Sequence, residues 1–182
     1  VLTLGTGIGC GIVLNGVLLH GVNQAAGEAG HMVIELSGPA CKCGRKGCFE
    51  LLASATGLIR LTREALQSHP DDPFWDCCQG DLALVDGKTA FHGAALGLRL
   101  AKEVVGRYIK YVACGVTNLI NLLEPEVLCI GGGISHAGEA LLAPVRNIVY
   151  GEQYVKNSLP RTEIRLAALG NDAGLIGAAF LP

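Results

Sequence analysis

Leu98, Ala101, Val105, Tyr108, Val112, Val116, Leu119 and Leu123 recur at steps of three and four residues, while Arg99, Lys102, Arg107 and Lys110 lie off that line. This is the period of a helix with one buried face. A stripe that long needs a large apolar partner. Glu124-Pro125 ends it, because the residue before a proline is pushed out of helical geometry. An apolar run follows, Val127 to Ile130, then Gly131-Gly132-Gly133, then a second helical stretch from about Ala137 to Tyr150. A buried strand between two helices is the repeating unit of an α/β domain.

The beginning of the chain reads differently. Val1 to Leu4 is a short apolar strand, Gly5-Thr6-Gly7-Ile8-Gly9 a turn, and Cys10 to Leu14 a second strand. Asn15-Gly16 predicts a hairpin into Val17 to Leu19. Further on, His31 to Glu35 is expected as a strand, and Phe49 to Ala53 and Gly57 to Gln67 as helices. His69 to Gly80, with Pro70 and Pro73, is expected as a surface loop. Lys88 to Leu123 should hold two helices meeting near Ala94 to Gly97, with Asp86 capping the first. Glu163 to Leu166 is the last strand and Ala173 to Phe180 the last helix. Antiparallel strands first, then strands alternating with helices, predict one α/β domain with a mixed sheet.

Composition removes several classes of function. Half of the 182 residues are apolar and 16% are charged, so there is too much to bury for a disordered chain. Fourteen basic residues are offset by 16 acidic ones, which argues against a nucleic-acid binder held by charge. No apolar run approaches the roughly 18 residues of a membrane span. The chain opens on Val1 in mid-strand, its one methionine is Met32, and it has no basic-then-apolar leader, so it is expected to be a cut domain.

The glycine runs narrow the chemistry. Gly5, Gly7 and Gly9 do not make a Rossmann fingerprint, because Cys10 stands where a glycine is needed and a strand follows instead of a helix. A glycine hairpin can still cradle phosphate on its amides, with Thr6 adding a hydroxyl. A tight turn in a crowded sheet is the other reading. Gly87-Lys88-Thr89 is not a P-loop, since Leu82 replaces the required first glycine. Gly131 to Gly133, between a buried strand and a helix, stand where α/β sheets bind ligands.

Of eight cysteines, Cys10, Cys114 and Cys129 lie in apolar runs and read as small core residues, and Cys77-Cys78 as a loop pair. Cys41, Cys43 and Cys48 cluster, and His31 is ten residues upstream. Three thiolates and an imidazole fill a tetrahedral zinc shell. Gly44 and Gly47 let the loop wrap an ion, and Lys42, Arg45 and Lys46 offset its net negative charge. A closed, structural site suits this set better than an open catalytic one. A disulfide plus one free thiol, or unconnected thiols, are the alternatives. Glu28 and Glu50 flank these residues. A metal that pins His31 and Cys48 also fixes both carboxylates, and two acceptors beside an imidazole donor suit a polyhydroxylated ligand.

Four stretches together resemble the ROK family of repressors, open reading frames and kinases. They are Leu4 to Gly9, Ala26-Gly27-Glu28-Ala29-Gly30-His31-Met32, Cys41 to Glu50, and Ile130 to Ile134, and the resemblance runs from Val1 to Leu181. It implies the actin-like (ribonuclease H-like) sugar-kinase fold, with residues 1–182 as the C-terminal lobe and a zinc loop over about 31–50. It implies zinc on His31, Cys41, Cys43 and Cys48, and sugar hydroxyls on Glu28, His31 and Glu50. Gly5, Thr6, Gly7 and Gly9 would take phosphate, and Gly131, Gly132 and Gly133 the adenosine side. The catalytic aspartate would precede Val1. The implied activity is ATP- and Mg²⁺-dependent phosphorylation of a hexose at its 6-hydroxyl, as in bacterial glucokinases, by a cytoplasmic homodimer. No membrane and no nucleic acid are expected to bind this lobe. A sugar-responsive repressor, or an inactive zinc-stabilised module, are the rival readings.

Overall fold

In the computed structural model, which describes residues 1–156, 159, 161–170 and 179, strand β1 (Leu2–Leu4) lies inside a four-stranded sheet. Its antiparallel neighbour is β2 (Ile8–Cys10), reached through Gly5 to Gly7. On its other side it pairs in parallel with β5 (Val127–Gly131), which pairs in parallel with β6 (Glu163–Leu166). The order β2-β1-β5-β6 is the mixed sheet that the strand pattern predicts. Leu2, Leu4, Ile8, Leu128, Ile130 and Ile164 point into one core, while Thr3, Gly9 and Arg165 alternate outward. One face of this sheet is therefore packed and the other open among the described residues. Cys129, in register with Arg165, belongs to the outward set and is half-buried. Cys10 and Cys114 are also only half-buried, so all three lie at the margins and not in the core expected for them.

The packed face rests on helices. β3 (Val13–Leu14) and β4 (Val17–Leu18) come first and form a separate hairpin. Asn15 and Gly16 have φ of 52° and 78°, the paired positive values of a type I′ turn. α1 (Phe49–Ala53) and α2 (Ala55–Ser68) then meet at Ser54, whose hydroxyl accepts from the Gly57 N–H and caps α2. α3 (Thr89–Ala95) and α4 (Arg99–Leu123) follow. α4 is the central helix and is buried on more than the predicted stripe, because α1, α2 and α3 cover one side and α5 (Glu139–Glu152) another. Tyr108 of α4 is fully buried and its hydroxyl donates to the Ala53 carbonyl at 2.8 Å.

Two further expectations fail for physical reasons. His31 to Glu35 is not a strand: Ala29–His31 is a 3-10 turn, and only Val33 makes a bridge, to Cys48. The chain is bent there so that His31 can turn toward the cysteines. His69 to Gly80 is not merely surface. Its 3-10 helix Pro73–Cys78 buries Phe74 and Cys78, and the Phe74 ring leaves no room for a Cβ on Gly93 of α3. The helix expected over Ala173 to Phe180, Ala179 excepted, lies outside the described residues. No described helix is long and apolar enough to cross a membrane.

Candidate active site and metal centre

The loop from His31 to Cys48 closes on itself. Cys41 N–H donates to Arg45 O at 2.7 Å, and Gly44 N–H to Cys41 O at 3.0 Å. Gly44 and Gly47 take φ of 89° and 67°, which side chains disfavour. At Gly47 a Cβ would also land on the Glu35 carbonyl. These turns bring the ligating atoms of His31, Cys41, Cys43 and Cys48 within 4.8 Å of one another. His31 Nδ1 is 3.7 Å from Cys41 Sγ, and Cys43 Sγ is 3.6 Å from Cys48 Sγ. A tetrahedral ion with metal–sulfur bonds of about 2.3 Å separates its ligands by about 3.7 Å. A disulfide would need about 2.0 Å. All three thiols are unbridged, and the donor set and spacing fit zinc. Burial, then the Cys43 and Cys41 thiols beside it, pushes Cys48 up to about 12. The exposed Cys43 thiol is lowered, first by a backbone hydrogen bond at Arg45. Thiols so close resist joint ionisation, and a dication is what would stabilise three thiolates here. Arg45 closes the loop by donating to the His31 carbonyl at 3.3 Å.

Cys48 is the N-cap of α1, so Glu50 in its first turn is carried by the loop. Its Oε2 accepts from the Ile8 N–H at 2.9 Å. Gly7 lies against this carboxylate, and a Cβ on Gly7 would strike Oε2. Gly30 is packed beside both: a Cβ there would be 2.7 Å from Ile8 O and 3.4 Å from Glu50 Cβ. Thus the segment bearing His31, the α1 carboxylate and the glycine turn meet at one place. Glu28 precedes the 3-10 turn, with its side chain exposed and its carbonyl accepting from His31 N–H at 3.0 Å.

The second glycine turn is next door. Thr3 is in register with Gly131, and Gly132, at φ 85°, lies so close to β1 that a Cβ would be 2.5 Å from Leu4 O. Both turns therefore leave the same edge of the sheet, at the ends of adjacent parallel strands, where α/β sheets present backbone amides to ligands. The Gly5 turn is anchored from below by α2: Ala55 N–H donates to Gly5 O and Thr56 Oγ1 to Thr6 O, both at 2.8 Å. Ala55 and Thr56 did not stand out in the sequence. Their signal is only their place five and six residues after Glu50.

The sequence pattern of the ROK family matches residues 1–182. The chain belongs to the ROK family. It is 41% identical over its whole length to a glucokinase of Halalkalibacterium halodurans, covering 54% of that protein. It is 40% identical over 99% of its length to a glucokinase of Thermotoga maritima, covering 56% of it. Among solved structures, it superposes on a ROK family glucokinase from Streptomyces griseus in complex with glucose and AMPPNP. The TM-score is 0.88 at 30% identity, over 98% of this chain and 58% of that one. A ROK family transcriptional regulator also matches, with a TM-score of 0.74 at 26% identity, over 91% of this chain and 40% of that one. The chain spans just over half the length of the curated glucokinases it matches. The fold is that of the ROK sugar kinases, the actin-like α/β architecture with a mixed sheet.

Proposed function

We propose that this chain is the C-terminal lobe of an ATP-dependent hexose kinase and that its cleft holds the sugar beside the phosphates. The observation that carries this reading is the position of Glu50. It is two residues from a metal-ligand cysteine and bonded to the phosphate-side turn at Ile8. One carboxylate oxygen is committed to the backbone and the other can accept from a sugar hydroxyl. Glu28 and His31 join it as hydroxyl partners. His31 would ligate zinc through Nδ1, the atom facing Cys41, and present its other nitrogen as a donor. Zinc, when bound, supplies rigidity: four protein ligands leave it no open position for chemistry.

The reaction asks for a base to take the proton from the sugar 6-hydroxyl as its oxygen attacks the γ-phosphorus. We assign the base to an aspartate of the N-terminal lobe. The residues of this chain hold and orient: Gly5, Thr6, Gly7 and Gly9 face the phosphates with Mg²⁺, and Gly131, Gly132 and Gly133 face the adenosine. Positioning and charge neutralisation do most of the work in phosphoryl transfer. The reducing cytoplasm suits three unbridged thiols, and a homodimer fits the exposed apolar side chains of the hairpin, Val13 and Val17 among them.

A steady-state assay of the full-length protein with ATP and glucose, N-acetylmannosamine or N-acetylglucosamine tests this. Formation of the sugar 6-phosphate from at least one is expected. No turnover of any, in protein loaded with zinc, contradicts it. Similarity to a ROK regulator and to a putative xylose repressor of Caldicellulosiruptor at 29% identity supports a second reading, a sugar-responsive repressor. Sugar-dependent binding of operator DNA without turnover is its signature.

A further inference from the structure

The turn Gly5-Thr6-Gly7 has two consecutive peptide units held by their carbonyls. Gly5 O accepts from the Ala55 N–H, and Thr6 O accepts from Thr56 Oγ1. In a trans peptide the carbonyl and the following N–H lie in one plane and point opposite ways. Pinning Gly5 O therefore aims the Thr6 N–H, and pinning Thr6 O aims the Gly7 N–H. Neither of these N–H groups donates to an acceptor among the described residues. The next unit is tied at both ends, since Gly7 O accepts from Gly5 N–H at 3.0 Å and Ile8 N–H donates to Glu50. The result is two consecutive open donors, each with its direction fixed by the carbonyl bound behind it, and open backbone donors of this kind suit an oxyanion. Donors aimed in advance cost nothing to reorganise when charge arrives.

We propose that Thr56, with the Ala55 N–H beside it, is a positioning residue for the phosphate-binding turn: its hydroxyl sets the direction of the Gly7 amide that meets the nucleotide. This rests on reading Gly5 to Gly9 as the phosphate side of the cleft. Thr56 is exposed at the start of α2, so losing its hydroxyl leaves the core intact. The Ala55 donor has its own probe. Ala55 is the first residue of α2, where a proline is tolerated, and Ser54 already has the extended backbone that a following proline prefers.

The test is equilibrium calorimetry of a non-hydrolysable ATP analogue on the full-length protein, wild type against Thr56→Val, Thr56→Ser and Ala55→Pro. Hexose binding and the thermal midpoint are measured alongside. Thr56→Val is expected to weaken nucleotide binding about fivefold, the loss of one directing hydrogen bond. Hexose affinity and the midpoint should stay at wild-type values, Thr56→Ser should restore nucleotide binding, and Ala55→Pro should weaken it as Thr56→Val does. Unchanged nucleotide affinity in Thr56→Val overturns the proposal, as does a Thr56→Ser variant no better than Thr56→Val. A parallel loss of hexose affinity or of midpoint also overturns it, because that marks a structural role. Wild-type protein that binds the analogue but phosphorylates no hexose contradicts the kinase reading alone, and the midpoint then serves as the control. Wild-type protein that binds no nucleotide overturns both.

Discussion

Glu50 and Gly7 make each other necessary. The carboxylate can reach the Ile8 N–H because residue 7 has no side chain, and a Cβ there would strike Oε2. Gly7→Ala should push Glu50 out of place and weaken hexose binding by about tenfold, given an overpacking cost of about 1–3 kcal/mol. Titration calorimetry with the hexose checks it. Asp86 gives a prediction in pH. Burial raises its pKa, but hydrogen bonds from the Lys88 and Thr89 N–H groups and the Thr89 hydroxyl outweigh that and hold it below the ordinary carboxylate value. A depressed folded pKa means that this stabilisation is complete above the unfolded value of about 4 and fades as pH falls through the folded one. Asp86→Ala should cost about 1 kcal/mol at neutral pH, as for a lost helix cap. In urea melts, the gap to wild type should shrink below about pH 4. Asp86 was legible as a cap from its place before the helix. The bond from Thr56 to Thr6 was not, because its partners are 50 positions apart and neither residue type announces it.

At the scale of elements, the metal loop and α1 act as one piece. Cys48 both belongs to the candidate donor set and stands at the N-cap position of the helix that bears Glu50. Cys43→Ser removes a proposed zinc ligand on the exposed side of the loop. It should lower zinc content, lower the thermal midpoint by about 5 °C, and weaken hexose binding in the same preparation. Calorimetry and elemental analysis of one sample measure all three. A variant that loses zinc and keeps wild-type hexose affinity would show that the loop does not position Glu50. α4 carries a separate test. Gly115 faces the fully buried Phe49 ring, which leaves no space for a Cβ. Gly115→Ala gains up to about 1 kcal/mol of helix propensity but overpacks the core by about 1–3 kcal/mol. A net fall in midpoint is expected in thermal melts. The helices and the sheet were readable because 3.6- and 2-residue periods and the Asn15-Gly16 turn are local signals. The bent segment after His31 was misread as a strand because its course is set by distant cysteines.

For the whole molecule, the sheet edge gathers what the chain keeps far apart. Gly5 to Gly7, Glu50 and Gly131 to Gly133 converge because β1 and β5 are parallel neighbours and α1 follows the metal loop. The glycine turns were visible in the sequence as turns, and the cysteine cluster as a metal site. Their adjacency needed the strand order β2-β1-β5-β6, which no local pattern encodes. The sugar site proposed here depends on an ion that locks His31 and Cys48, and so places Glu50. The most direct measurement is zinc stoichiometry on protein purified without chelator, paired with thiol titration under native conditions. One zinc per chain is predicted, with Cys41, Cys43 and Cys48 protected until the fold is opened. A metal content near zero, with those three thiols reacting freely in the folded protein, would contradict the account.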